Sequence, residues 1–133
     1  MPKTLILTAP SAAARADALA EAARGVRFAE VDVRPLPPAA ALADSLAGYD
    51  AVLVGGSSAE VASLLQALPA LGDTVGSAFG GDDDARWATL RALAERGAII
   101  VPPNDDADAH GRRVATVAEW VRHAKSHRHE HNH

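Results

Sequence analysis

The chain has 133 residues, a formal net charge of −4, no cysteine, and only five aromatic side chains beyond its histidines. This length suits one domain with an ordinary core. The missing cysteines exclude disulfides, Fe–S clusters and thiol nucleophiles, and they give no clue to redox compartment. No apolar run approaches the roughly 18 residues of a membrane span, and the first ten residues lack a signal peptide's charged head and long apolar stretch. A cytoplasmic location is the resulting expectation.

Charge is unevenly spread. Residues 1–111 carry 8 basic and 15 acidic side chains, whereas residues 112–133 carry 5 basic, 2 acidic and five histidines. An acidic body argues against nucleic-acid binding. The division suggests a domain over residues 1–122 and a His-rich tail over 123–133.

In chain order, residues 4–8 (TLILT) read as a buried strand. Residues 11–24 read as a helix with Ala12, Ala16, Leu19 and Ala23 inward and Gly25 at its end. Residues 27–33 mix polar and apolar types and suit an edge strand, which tolerates charge. Pro35, Pro37 and Pro38 mark a loop before a short helix over 39–47. Residues 51–54 (AVLV) form a second buried strand ending at Gly55-Gly56. Val61, Leu64, Leu65 and Leu68 then repeat with helical spacing until Pro69. A third interior strand spans 74–79, followed by Gly80-Gly81. Residues 82–96 read as a helix with acids in its first turn and Trp87, Leu90 and Leu93 inward. Residues 98–101 give the last strand. Val114, Val117, Val121 and Ala124 stripe the last helix.

Five strands alternating with five helices predict an α/β doubly wound parallel sheet, order 2-1-3-4-5, with helices on both faces. The ligand crevice of such a sheet lies at the carboxyl ends of strands 1 and 3, where the winding reverses. Three loops surround it, over residues 8–14, 55–59 and 80–84. A receiver domain would need an acidic pair after strand 1, a phosphoacceptor Asp after strand 3 and a Lys after strand 5. Thr8-Ala9, Gly55-Gly56 and Pro102-Pro103 stand there instead. Neither standard nucleotide fingerprint is present.

The segments KTLILT, YDAVLVGGSS, SAFGG, LRALAERGAIIVPP and HGRRVATVAEWVRHA resemble the flavodoxin-like family, particularly its NAD(P)H:quinone oxidoreductase (WrbA-like) branch. The similarity runs nearly end to end. It implies flavin mononucleotide (FMN) at the first three loops and electron transfer to a quinone-like acceptor. The cofactor-binding positions it implies are Thr8, Ser11, Ala12, Ala13, Gly55, Gly56, Ser57, Ser58, Gly80 and Gly81. Asp50 matches the aspartate that precedes strand 3 in the family. The first loop departs from the family's hydroxyl-and-amide cradle: it has no Gly where the backbone would turn through positive φ, and Pro10 removes a donor. Each lost contact to a charged phosphate costs about 1.5–3 kcal/mol. Two such losses weaken binding ~10²–10⁴-fold.

Several of these residues have a second reading. Ser11 is equally placed to cap the first helix, an interaction worth ~1 kcal/mol, and Ser57 or Ser58 to cap the third. Arg15 could neutralise a phosphate. The clusters Asp82-Asp83-Asp84 and Asp105-Asp106-Asp108 suit Mg²⁺, or ordinary helix starts. His110 reads as a cap or surface residue, Trp87 as core, and Trp120 as a stripe border or partner contact. In the tail, His123/His127, His127/His131 and His129/His133 are i,i+4 pairs if helical, and His127, His129, His131 and His133 share one face if extended, patterns that take divalent metals without selectivity. It also reads as a plain polar tail. Three functions compete: an FMN-dependent electron carrier, a cofactor-less interaction or scaffold module that could self-associate, and a metal binder acting through its tail.

Overall fold

A computed structural model describes residues 1–131 of the chain, with side chains through Ser126. The strands are β1 (Lys3–Thr8), β2 (Glu30–Pro35), β3 (Ala51–Gly55), β4 (Val75–Phe79) and β5 (Ile99–Ile100). All pair in parallel, in the order β2-β1-β3-β4-β5. The helices are α1 (Ala13–Arg24), α2 (Leu42–Leu46), α3 (Ser58–Gln66), α4 (Asp83–Glu95) and α5 (Ala107–His131). The doubly wound sheet expected from the sequence is the observed one.

Alternation along the strands builds two cores, because successive side chains point to opposite faces. Ile6, Leu53, Val75 and Phe79 face α1 and α5, where they meet Ala16, Leu19, Val114 and Ala118. Leu5, Leu7, Val52 and Val54 face the other way, against Leu42 and Leu46 of α2, Val61 and Leu64 of α3 and Leu93 of α4. The small alanines of α1 and α5 let the two helices pack closely along one another.

Four local expectations need correction. β2 starts at Glu30 rather than at residue 27, because Phe28 takes a left-handed φ of 65° and breaks the extended run. Trp87 is not in the core: 70% of it is exposed. The buried face of α4 is made by Ala85, Thr89, Leu90 and Leu93, leaving Trp87 pointing outward. Ile99 of β5 is also exposed, since β5 is an edge strand with one neighbour. On α5 the buried stripe ends near Val121, and Ala124 is exposed.

Asp50 works at the amino edge of the sheet. Its Oδ2 accepts the backbone N–H of Lys3 at 2.8 Å, and its carboxylate pairs with Arg122 of α5 at 3.2 Å. One side chain, 11% exposed, thus ties β1, β3 and α5 together, far from the loops that form the crevice.

Candidate functional site

The loops after β1, β3 and β4 meet at the carboxyl end of the sheet, as their spacing predicts. Their backbone groups turn toward each other. The N–H of Ala9 donates to Gly55 O at 2.9 Å and that of Ala12 to Ala9 O at 3.0 Å. The Ala13 N–H donates to Pro10 O, closing a short 3₁₀ turn over Pro10–Ala12. Pro10 has no N–H to offer. Thr8 is buried, and its hydroxyl donates to Ala9 O at 2.8 Å.

Ser11 does not cap α1. Its hydroxyl crosses to the start of α3 and donates to Glu60 Oε1 at 2.7 Å. The same Glu60 oxygen accepts the Ser57 N–H at 2.9 Å, while Ser57 Oγ accepts the Glu60 N–H at 3.3 Å. This reciprocal pair is a capping box, so Ser57 is the cap of α3 and Ser58 its exposed first residue. Hydrogen bonds from Ser11 and then from the Ser57 backbone hold the Glu60 carboxyl below its ordinary range. A carboxylate therefore stands beside the loop that would meet a phosphate.

The glycines at this end serve chain-to-chain contact. Gly80 and Gly81 both have positive φ, 65° and 61°. A Cβ on Gly80 would lie 2.8 Å from the Ala12 Cβ, and one on Gly81 2.6 Å from Gly56 O. Gly56 in turn lies against Ala9. The three loops close over β1 and β3 as a wall of small residues. Three N–H groups of the first loop, those of Ala9, Ala12 and Ala13, are engaged, Pro10 offers none, and Glu60 stands alongside, whereas an FMN phosphate needs several amides converging on one anion.

Open space lies to either side. Thr8, Ala9 and Ala13 line a shallow groove of about 280 Å³ toward the end of β2. Gly80 and Phe79 line a second, of about 390 Å³, with Arg15, Arg86, Pro103 and His110. In this second groove Arg15 holds the carbonyls of Asn104 and Asp105 at 2.6 and 2.7 Å. Arg86 holds those of Gly80 and Gly81 at 3.1 and 2.8 Å and pairs with Asp83. Both guanidiniums therefore order the loops that form the groove.

His110, a cap or surface residue by its sequence context, is instead 1% exposed. Its Nε2 lies 2.7 Å from Ser77 Oγ, which also lies 2.7 Å from Val101 O. Two oxygens that close need a proton between them, and the carbonyl has none, so Ser77 donates to Val101. Its single proton is then committed, and it accepts from His110. The imidazole therefore carries its proton on Nε2 and presents a bare Nδ1, which is buried with no hydrogen-bond partner among the described residues. Burial, reinforced by the Arg15 charge, lowers its pKa to about 4, so the ring is neutral at pH 7. Ser77 in the midst of an apolar strand was the available sequence signal, because a buried hydroxyl needs a partner.

The acidic clusters act on helices. Asp82 Oδ1 caps α4 by accepting the Ala85 N–H at 2.8 Å. Asp106 accepts the Asp108 N–H at the start of α5, and Asp108 pairs with Arg112. Among the described residues no group of three or more His, Asp or Glu side chains is arranged to hold a metal. The proposed tail ligands His127, His129, His131 and His133 lie outside the described side chains. Trp120 is exposed, with the Arg113 guanidinium 5.2 Å from its ring centre. No helix among the described residues is long and apolar enough to cross a membrane.

The sequence matches no protein-family profile and no curated protein. Solved structures do match. A flavodoxin from the domain Archaea aligns with a TM-score of 0.61 at 17% identity, covering 90% of this chain and 99% of its own. Oxidised flavodoxin 2 from Bacillus cereus aligns at 0.63 and 18%, covering 89% and 98%. A short-chain flavodoxin associated with a non-canonical PDU bacterial microcompartment aligns at 0.61 and 14%, covering 87% and 95%. Near-complete coverage of both chains, together with the 2-1-3-4-5 winding, gives this protein a flavodoxin-like fold.

Proposed function

We propose that this chain is a flavodoxin-fold interaction module that works without FMN. The observation that carries this reading is the first loop. Ala9, Ala12 and Ala13 direct their N–H groups to the chain's own carbonyls, and Ser11 gives its hydroxyl to Glu60. Binding FMN there would break these bonds and bring a phosphate next to a carboxylate. What remains for function is surface, above all the exposed Trp87 and the apolar groove beside it.

The test is a titration of FMN into the purified full chain, followed by quenching of flavin fluorescence. The expected result is no saturable quenching up to roughly 50 μM, a dissociation constant weaker than about −6 kcal/mol would give. A yellow one-to-one complex that forms at or below about 1 μM would overturn the reading. It would select the alternative, an FMN-dependent electron carrier or quinone reductase, which draws its support from the flavodoxin-like fold.

A further inference from the structure

The outer face of α4 carries a short pattern with its own symmetry. Asp83, Trp87 and Arg91 follow one another at intervals of four, so they form one stripe along the helix. All three border the large groove between α4 and the Pro102-Pro103 turn after β5, whose open space is about 1110 Å³. Trp87 is 70% exposed, and the side chains of Asp83 and Arg91 are 86% and 83% exposed. The stripe reads acid, aromatic, base. Turned end for end, it reads base, aromatic, acid.

We propose that this face binds a second copy of the chain, with the two α4 helices antiparallel about a two-fold axis at Trp87. In that arrangement Asp83 of each copy meets Arg91 of the other, and the two indoles meet at the centre. This is the self-complementarity that a two-fold interface demands: residue i contacts j, and j contacts i. The paired rings can take an offset stack over an apolar floor. The antiparallel helices also oppose their dipoles.

The present partners of the charged residues do not hold them back. Arg91 pairs with Glu95 at 3.3 Å at the surface, and the exposed Asp83 pairs with Arg86, which is only 26% exposed and keeps the Gly80 and Gly81 carbonyls as partners. Exposed pairs of this kind contribute little and exchange easily. The neighbouring β5 edge of the sheet offers a poorer route to association. β5 pairs over only two residues, and Pro102 and Pro103 follow at once, so the ladder cannot lengthen there.

This inference deepens the interaction role by naming its surface and partner. It fails separately from that role, because flavin titration reads the loop end and dimerisation reads α4. The experiment is sedimentation velocity of the full chain over a concentration series, with EDTA present so that metal at the tail histidines cannot link copies. The wild type is expected to shift from monomer to dimer. Trp87→Ala should weaken the dimer at least about 10-fold, as loss of a central aromatic anchor does. Asp83→Arg and Arg91→Asp should each weaken it, and the double reversal should restore it. Circular dichroism of each variant checks that it is folded, and the double variant contains both changes in one chain. A wild type that stays monomeric up to roughly 500 μM, weaker than a low-affinity specific complex, would overturn the proposal. So would a dimer that neither charge reversal disturbs.

Discussion

The carboxyl end of the sheet has two unlike halves. Over β1 and β3 the loops are built of Thr, Ala, Gly, Pro and Ser, and the N–H groups of Ala9, Ala12 and Ala13 and the hydroxyls of Thr8 and Ser11 are paired within the chain. Over β4 and β5 the loops leave a groove, Arg15 and Arg86 hold their carbonyls, and a neutral histidine is buried beneath with no partner for Nδ1 among the described residues. Both halves sit on the same winding of strands. One topology thus carries two unlike loop surfaces side by side. Crevice position follows from strand order, but chemistry follows from which N–H groups and charges the local loops leave open.

The sharpest way to test this contrast is through pH, because only the β4–β5 half contains a buried titratable group. The folded His110 pKa is about 4, whereas the unfolded chain takes up this proton near 6.5. The unfolded state therefore binds more protons between these values, and stability falls as pH drops from about 6.5 toward 4. The contribution from this one ring is about 3 kcal/mol, because each tenfold loss of proton affinity on folding is worth roughly 1.4 kcal/mol. Urea unfolding at pH 7, 5.5 and 4 measures it. A His110→Leu variant should lose that part of the acid sensitivity, leaving Ser77 bound to Val101. Equal pH slopes in the two proteins would remove His110 from the account.

The wall over β1 and β3 is tested by Gly80→Ala. The new Cβ would meet Ala12 at 2.8 Å on a backbone with φ of 65°. A loss of about 2 kcal/mol is expected from the strained conformation and the contact together. A thermal midpoint unchanged from wild type would mean that the loops are not packed against each other as described. The smallest effect is expected at Glu60. Glu60→Gln keeps an acceptor for Ser11 and Ser57 but removes the charge beside the first loop. FMN affinity should remain undetectable, because the engaged amides and Pro10 are unchanged. Saturable FMN binding by this variant would make charge, rather than amide geometry, the controlling feature of that half.

The sequence carried the architecture in its apolar runs. Residues 4–8, 51–54 and 74–79 could only be interior strands, and the polar β2 belongs at an edge. The closing glycines and the lack of a first-loop Gly were also visible. Three things were hidden, each for a physical reason. Trp87 fits helical spacing with Leu90, yet the helix rotates its buried face toward Ala85 and Thr89, and periodicity alone does not fix that angle. The Ser77–His110 bond joins residues 33 apart on a strand and a helix, so no local pattern marks it. The bond from Ser11 to Glu60 spans 49 residues and replaces the helix cap that local chemistry favours.

The Asp50 anchor fixes more than β1 and β3. Through Arg122 it pins α5 at the sheet's amino edge, while that helix starts at Ala107 among the crevice loops. The 15 helical steps from Ala107 to Arg122 cover roughly 22 Å at 1.5 Å each. Whatever follows Arg122 in the chain therefore sets out from the opposite pole of the molecule. His123, the next residue, is exposed at that pole, away from the crevice loops. The two ends can be probed in one sample, each without obstructing the other.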